Sequence, residues 1–295
     1  MPFEIKITEL GPMIFTDDEL KDEKKIDETL AEMDAVTLRA LIRNKSHNVD
    51  NQMQRYFLSA ERTEIVLPNT TKTLRFALTA WEKRGYETDK EDIEYGYHAL
   101  RRADEFSRNP VYHEIPPDEP FKKSEVKALE KAIFGRKSVR RFSDKDVPDD
   151  LLNKVLEAGF WAPCACSVQG CRFIVVKDPE TKKIILQPWA APVLVIGCMD
   201  DRCYKLIEGA ELPNSPILDL ALAFGNMHLM AHALGLGMTI GTFVGEIAAL
   251  SRALEVPDYI KPLSYFNLGW PTDNPTRVPR MELEGYVSRE KWTGE

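Results

Sequence analysis

A nearly continuous apolar segment, residues 215–234, is the feature that most limits how this chain can fold. Serine at 215 and proline at 216 suit the N-cap and first position of a helix, and Gly235 and Gly237 follow where such a helix would end. From Ile217 onwards, its strongly polar residues are Asp219, Asn226, His228 and His232. A helix that is apolar on nearly every face is buried in a core or in a subunit interface.

The composition indicates an acidic globular protein. The 295 residues carry a formal net charge of -8, with 43% hydrophobic and 29% charged residues. No run reaches the roughly 18 apolar residues that span a bilayer. The first residues lack the apolar core of a secretory signal, so we expect a cytoplasmic protein with no membrane partner. The acidic charge also argues against broad nucleic-acid binding.

A cluster of positive charge interrupts this acidic chain between Phe134 and Phe142. It contains four cations and one hydroxyl, namely Arg136, Lys137, Ser138, Arg140 and Arg141. Guanidinium groups with a nearby hydroxyl suit a phosphate, because the planar fork donates two hydrogen bonds to an oxyanion. On this segment alone a solvated helix end is favoured, because cations interact favourably with the helix dipole. The phosphate interpretation stays open.

All five cysteines lie close together in the sequence, as Cys164, Cys166, Cys171, Cys198 and Cys203. An odd number of cysteines in a chain without a signal argues against a disulfide framework. Their spacing matches no zinc or iron–sulfur pattern, so small buried thiols are the favoured interpretation. A metal or redox role stays open. His228 and His232 have the i, i+4 spacing of a metal pair, but a packed or interface role is favoured.

The first 120 residues predict a mostly helical region that carries no chemical motif. A short strand is predicted at 3–9, and amphipathic helices at 18–43, 71–84 and 89–106, the first of them broken near Asp34. Four prolines between 109 and 120 indicate an extended linker. We expect a structural, oligomerisation or lid role for this region.

After the linker the pattern changes to helices and strands in alternation. Helices are predicted at 123–134 and 147–161, the second capped by Asp149, and strands at 171–176, 191–198, 238–243 and 263–268. A loop of small and polar residues, 162–170, follows the second helix and precedes the first strand. A further edge strand is predicted at 283–287.

The order of these parts resembles the FMN-dependent nitroreductase superfamily. Residues 136–142, Arg-Lys-Ser-Val-Arg-Arg-Phe, resemble its Arg-Arg-Ser-x-Arg-x-Phe signature. Residues 162–169, Ala-Pro-Cys-Ala-Cys-Ser-Val-Gln, resemble its Ala-Pro-Ser-x-x-Asn-x-Gln loop, with cysteine and serine replacing the usual serine and asparagine. Residues 219–237 resemble its long dimer helix, and Leu-Gly-Trp-Pro at 268–271 resembles its Leu-Gly-x-Pro turn. Arg280 falls near a phosphate-binding arginine of the family.

The resemblance implies an α+β fold, a nitroreductase-like three-layer sandwich with a central mixed sheet flanked by helices. It implies that residues 121–295 form the FMN-binding domain and that residues 1–120 form a mostly helical region outside the family's usual core. It also implies a homodimer with FMN at the interface, so that the loop 163–169 would serve the partner's flavin.

The same resemblance implies the residues of the cofactor site. They are Arg136, Lys137, Ser138, Arg140, Pro163, Cys164, Ala165, Ser167, Gln169, Ile240, Gly241, Thr242 and Arg280. The three arginines would neutralise the FMN phosphate, and Gly241 would let the backbone approach the reactive face of the ring. The motifs require no protein acid or base, so we assign no catalytic side chain and expect no metal ligand.

We therefore predict an FMN-dependent oxidoreductase that transfers two electrons from NADH or NADPH to a small organic acceptor. The acceptors of this class are nitroaromatics, quinones, enones and halogenated aromatics, and the motifs do not choose among them. The alternative is a non-catalytic flavin-binding module whose N-terminal helices dock a partner protein.

Overall fold

A computed structural model describes residues 15–16, 18–58, 67–110, 116–184, 191–207, 214–243 and 247–292. The helices are α1 (Glu23–Glu32), α2 (Ala35–Leu58), α3 (Leu67–Lys83), α4 (Glu91–Arg108), α5 (Lys123–Gly135), α6 (Asp149–Phe160), α7 (Pro179–Ile184), α8 (Asp201–Tyr204), α9 (Ser215–Ala233) and α10 (Ile247–Ala253). The strands are β1 (Cys171–Val176), β2 (Val193–Asp200), β3 (Gly237–Gly241) and β4 (Ile260–Gly269). The predicted strand 3–9 lies outside the described residues.

The four strands form one antiparallel sheet in the order β1-β2-β4-β3. Successive side chains of β2 point to opposite faces. Val193 and Val195 pack in the same core as residues of α6 and α9, whereas Leu194 and Ile196 pack with Leu250 of α10. The sheet is therefore covered by helices on both faces, and the predicted α+β three-layer architecture is confirmed.

The sheet differs from the expected mixed sheet in its strand directions. Every pair among the described strands is antiparallel, and the parallel contact is an isolated bridge between Ser138 and Met238. That bridge joins the basic segment to the edge strand β3. Strand direction follows from chain topology, which the residue pattern of a single strand does not reveal.

Helix α9 is central to the fold, as its apolar content predicts. Leu220, Phe224 and Met227 are buried in the core that includes α6 and one face of the sheet. Its other side exposes four large apolar residues, namely Ile217, Leu218, Leu222 and Met230. Asn214 takes the N-cap position without a side-chain hydrogen bond, so Ser215 is in the first turn and not at the predicted cap.

The N-terminal helices α1 to α4 share one core with part of the chain that follows. Helix α2 packs on α3 and α4 and also on the turn at 165–167, and the cluster of buried side chains continues through Val168, Tyr204 and Leu206. The predicted break near Asp34 is confirmed, because its carboxylate accepts from the N–H groups of Val36 and Thr37 and starts α2.

Two local predictions in the second half of the chain are wrong. Asp149 is the first residue of α6 and not its cap; its carboxylate instead accepts from Lys177 Nζ at 3.0 Å. Residues 283–285 form a 3-10 turn in place of the predicted edge strand.

In the ranges described, no helix has both the length and the apolar content needed to cross a bilayer.

Candidate cofactor site

The basic segment lies against the edge strand β3. Val139 N–H donates to the carbonyl of Met238 at 3.1 Å. A Cβ at Gly237 would come within 2.7 Å of the Val139 side chain, so glycine permits this close approach. The structure therefore brings residues 136–140 beside the strand that continues into Ile240, Gly241 and Thr242, which the family resemblance assigned to the same site.

The end of β3 is fixed by its neighbour β4. Ser264 Oγ donates to the carbonyl of Gly241 at 2.7 Å. A Cβ at Gly241 would lie 2.5 Å from the ring of Tyr265, so a side chain here would displace that tyrosine. Ile240 and Thr242 remain exposed on either side of Gly241. Contact with the Tyr265 ring therefore explains why residue 241 is a glycine, independently of any cofactor.

Two cations of the basic segment have neutral partners. Arg136 Nη1 lies 3.4 Å from His228 Nδ1, and Lys137 Nζ donates to Asn274 Oδ1 at 2.6 Å. Neither partner neutralises the charge it binds. A pair of half-buried cations whose described partners are neutral fits an anionic group such as a phosphate.

The protonation of His228 follows from its two hydrogen bonds. Its Nε2 lies 3.2 Å from the carbonyl of Lys137, which can only accept, so we assign the proton to Nε2 and leave Nδ1 to accept from Arg136. Burial, and then the charge of Arg136, lower the pKa of His228 to about 4. The ring is therefore neutral at pH 7. It accepts a hydrogen bond from Arg136 and leaves the positive charge of Arg136 uncompensated.

The other predicted phosphate ligands are exposed. Arg140 and Arg280 both lie at the surface. Within the described part of the chain, the guanidinium of Arg280 forms no hydrogen bond or ion pair, and its place beside the basic segment stays a prediction. Arg141, which faces Asp273 at 3.7 Å, forms a surface ion pair of the kind that contributes little to stability.

The loop 163–169 has an unusual backbone. Cys166, Ser167 and Gln169 have φ values of 47°, 57° and 51°, in the left-handed region that non-glycine residues rarely adopt. Each such residue costs on the order of 1–3 kcal/mol and persists where its surroundings fix it. Three of them in one loop mark it as a functional candidate.

Contacts from α9 and from within the loop hold that conformation. Ala165 N–H donates to Asp219 Oδ1 at 2.9 Å, and the hydroxyl of Tyr204 donates to Asp219 Oδ2 at 2.8 Å. Burial raises the pKa of Asp219, while both of these donors favour its ionised form. Within the loop, the backbone of Gln169 is hydrogen-bonded to the thiol of Cys164.

Helix α2 supplies a second set of contacts to the loop. Arg43 Nη2 donates to the carbonyl of Val168 at 2.9 Å, and Asn44 Nδ2 donates to the carbonyl of Cys166 at 3.2 Å. Sequence reasoning missed both residues. The signal that could have found them is the polar run Arg-Asn-Lys-Ser-His-Asn, 43–48, inside an otherwise amphipathic helix.

The cysteines are protonated at neutral pH. Burial raises the pKa of each of the five thiols, to about 11 for Cys171 and about 12 for Cys198. Thiols in such surroundings are poor nucleophiles. Among the described residues, no group of three or more His, Cys, Asp or Glu side chains is arranged to hold a metal ion.

Helix α9 connects the two parts of the candidate site. Asp219 binds the loop and His228 binds the basic segment, nine residues apart, which is about 13 Å along the helix axis. Of the predicted site residues, Arg136, Lys137, Ser138 and the end of β3 thus gather at one place, and the loop residues gather at another.

The nitroreductase family model matches residues 133–191 and 186–270. A candidate NADH dehydrogenase/NAD(P)H nitroreductase of Methanothermobacter thermautotrophicus is 33% identical over 181 residues, which are 58% of this chain and 91% of that protein. An FMN reductase [NAD(P)H] of Bacillus subtilis is 30% identical over 55% of this chain and 73% of its own length. This chain belongs to the nitroreductase family.

Solved structures support the same fold. The hypothetical oxidoreductase YcnD of Bacillus subtilis superposes with a TM-score of 0.52 and 29% identity, covering 57% of this chain and 76% of that one. An NADPH:FMN oxidoreductase of Vibrio harveyi, complexed with NAD+, has a TM-score of 0.51 and 21% identity over 57% of this chain and 79% of its own. These shares leave over two fifths of the present chain outside each comparison.

Proposed function

We propose that this protein is an FMN-dependent oxidoreductase that transfers two electrons from NADH or NADPH to a small organic acceptor. As a nitroreductase-family member it is an NAD(P)H-dependent oxidoreductase, and relatives named FMN reductase support FMN as its cofactor. Bound FMN supplies the hydride and electron-transfer chemistry itself. The acceptor class that we propose comprises nitroaromatics, quinones, enones and halogenated aromatics.

The chain's own residues bind and orient the cofactor in this proposal. The observation that carries it is the cation cluster against β3, where Arg136 and Lys137 have neutral partners and His228 keeps Arg136 in place. Arg140 and Arg280 add exposed positive charge for the same phosphate, and Ser138 adds a hydroxyl. Gly241 and its neighbours would lie along the ring, and the strained loop 163–169 would contact the flavin from the other subunit.

We further propose a homodimer, supported by apolar surface on two neighbouring helices. Helix α5 packs on α9 yet buries none of its own residues fully. It exposes Val126, Leu129, Ile133 and Phe134, beside the four exposed apolar residues of α9. Large apolar residues exposed on two helices that pack together are typical of a subunit interface. The cytoplasmic location remains the prediction made from the sequence.

The division into residues 1–120 and 121–295 also remains a proposal, with the first part as a cover for the second. In support, α2 donates hydrogen bonds to the loop carbonyls of Cys166 and Val168. The face of α2 that contacts the loop is not available to a separate protein. This favours the enzyme over a flavin-binding module that docks a partner through these helices.

The test is reconstitution followed by anaerobic reduction. Purified full-length protein is incubated with FMN and desalted, and the flavin-to-protein ratio is measured from its absorbance. We expect one FMN per chain, bleaching by NADH or NADPH without oxygen, and recovery of the yellow colour on adding an acceptor. A protein that retains no FMN would overturn the proposal, and one that binds FMN but is bleached by neither nucleotide would favour the binding module.

A further inference from the structure

Lys45 is a buried cation that the proposed function does not use. It lies on α2 in a run of buried polar residues, of which Arg43, Asn44, Lys45 and Asn48 expose 7%, 2%, 5% and 5% of their surfaces. Arg43 binds Asp92 and the carbonyl of Val168, and Asn44 binds the carbonyl of Cys166. Lys45 alone among these four forms no hydrogen bond or ion pair with a described residue.

Among the described residues, no carboxylate is close enough to compensate the charge of Lys45. Burial lowers the pKa of its ammonium to about 8, and the nearby group that affects it is the thiol of Cys166. At pH 7 the side chain is still mostly protonated. Removing a charge from water without a partner costs several kcal/mol. The Lys45 nitrogen is not among the fully buried atoms that lack a partner, so this largely buried charge is accessible to an anion.

We propose that Lys45, with the amides of Asn44 and Asn48, binds the carboxylate of an anionic electron acceptor at the loop 163–169. Asn48 Nδ2 lies 3.4 Å from Asn44 Oδ1, which aligns the two amides on one side of the helix. Each amide has two N–H donors, and the described bonds use one of each. This inference rests on the proposed role of that loop beside the flavin.

The composition of the site selects a carboxylate over a phosphate. One ammonium matches the single charge of a carboxylate, and the amides supply further donors. A phosphate carries more charge and is typically bound by the fork of an arginine. Arg43, two positions before Lys45 on α2, is engaged by Asp92 and by the Val168 carbonyl. The site therefore favours an acceptor that carries one carboxylate.

The experiment compares two ligands of similar size that differ by one negative charge. 4-Nitrobenzoate and 4-nitrobenzamide are titrated by calorimetry into full-length protein, with and without added FMN and always without NADH or NADPH, so that no turnover occurs. We expect wild-type protein to bind the benzoate about tenfold more tightly or better, as loss of a charge-assisted hydrogen bond would predict. Lys45→Met should remove this ratio, and Lys45→Arg should retain part of it. Lys24→Met, which changes an exposed lysine of α1, is the matched control and should keep the ratio.

The outcomes separate this inference from the proposed function. A wild-type ratio near one, or a ratio that Lys45→Met leaves unchanged, overturns the carboxylate site even if FMN binds. A Lys45-dependent ratio in a protein that retains no FMN supports the anion site and overturns the oxidoreductase. Because Met removes an uncompensated buried charge, Lys45→Met should melt at the wild-type temperature or above, which excludes loss of the fold as the cause.

Discussion

The two halves of the candidate site are held in different ways. The loop 163–169 has three left-handed residues; its carbonyls accept hydrogen bonds from Arg43 and Asn44, and its Ala165 N–H donates one to Asp219. The basic segment is held mainly by its backbone along β3, and its cations are half-buried or exposed. The loop is thus fixed by contacts with other elements, whereas the cations of the basic segment are accessible to a ligand.

This difference indicates a division of labour. A surface that orients a ring or a substrate must be rigid before the ligand arrives, because ordering it on binding would reduce affinity. Flexible cations can adjust to a phosphate, whose charge they recognise more than its shape. The comparison therefore predicts that mutations at the loop will mainly reduce stability, whereas mutations at the basic segment will mainly reduce cofactor affinity.

The largest effect is expected from Asp219→Ala. The change leaves the Ala165 N–H and the Tyr204 hydroxyl without their acceptor, and each buried unsatisfied donor costs about 1–3 kcal/mol. We expect the free energy of unfolding, measured with urea, to fall by about 2–6 kcal/mol. Tyr204→Phe, which removes only one of the two bonds, should have a smaller effect. Equal stability of Asp219→Ala and wild type would show that the loop is held by other contacts.

The next effect is a pH dependence that originates at His228. Its pKa is about 4 in the folded state and about 6.5 when unfolded. As the pH falls from 6.5 to 4, His228 is protonated in the unfolded chain but not yet in the folded chain. Its contribution to the free energy of unfolding is therefore fully present above pH 6.5 and is lost towards pH 4. The full loss from this group is about 3 kcal/mol.

The measurement compares wild type with His228→Asn at pH 7, 5.5 and 4.5. Other acidic groups titrate in both proteins, so the difference between them isolates His228. The variant should lose less stability on acidification, and the exposed His98→Asn should follow the wild type. Parallel curves for wild type and His228→Asn would contradict the assignment of a buried neutral ring beside Arg136.

Arg140→Ala tests the other side of the comparison. If Arg140 contacts the phosphate, losing the charge-assisted hydrogen bond should weaken FMN binding by about 1.5–3 kcal/mol, which is roughly a 10- to 150-fold rise in Kd. Fluorescence titration of FMN measures this directly. Arg141→Ala, in the same segment but facing Asp273, should leave Kd nearly unchanged. Equal Kd for Arg140→Ala and wild type would remove this arginine from the phosphate site.

Much of the second half of the chain could be predicted from sequence, because its signals are local. The run at 191–198 gave a buried strand and the segment at 215–234 gave the central helix, since apolar pattern reports burial directly. The basic segment was recognised from its charge, which is visible without knowing the fold. Its neighbour β3 was predicted as a strand from the residue pattern at 238–243, but that pattern did not indicate its pairing with β4.

What the sequence did not reveal depends on contacts between distant residues. Arg43 and Asn44 lie more than 120 positions from the loop carbonyls they bind, and nothing in a helical pattern names such a partner. His228 was interpreted as a packed histidine, but its role toward Arg136 needs the fold. The prediction of a strand at 283–287 was wrong because so short a segment has no periodicity that distinguishes a strand from a helical turn.

The smallest expected effect concerns the link between the N-terminal helices and the rest of the chain. Asp34 caps α2 and lies 3.4 Å from Arg202 in a partly exposed ion pair. Asp34→Ala should lower the free energy of unfolding by about 1 kcal/mol, mostly through the lost cap, with little from the ion pair. Asp18→Ala, whose exposed carboxylate pairs with Lys21, should cost less. FMN affinity should be unchanged in both, because the basic segment is held by β3 and not by α2. A parallel fall in FMN affinity for Asp34→Ala would mean that the two halves of the site are coupled more closely than their contacts indicate.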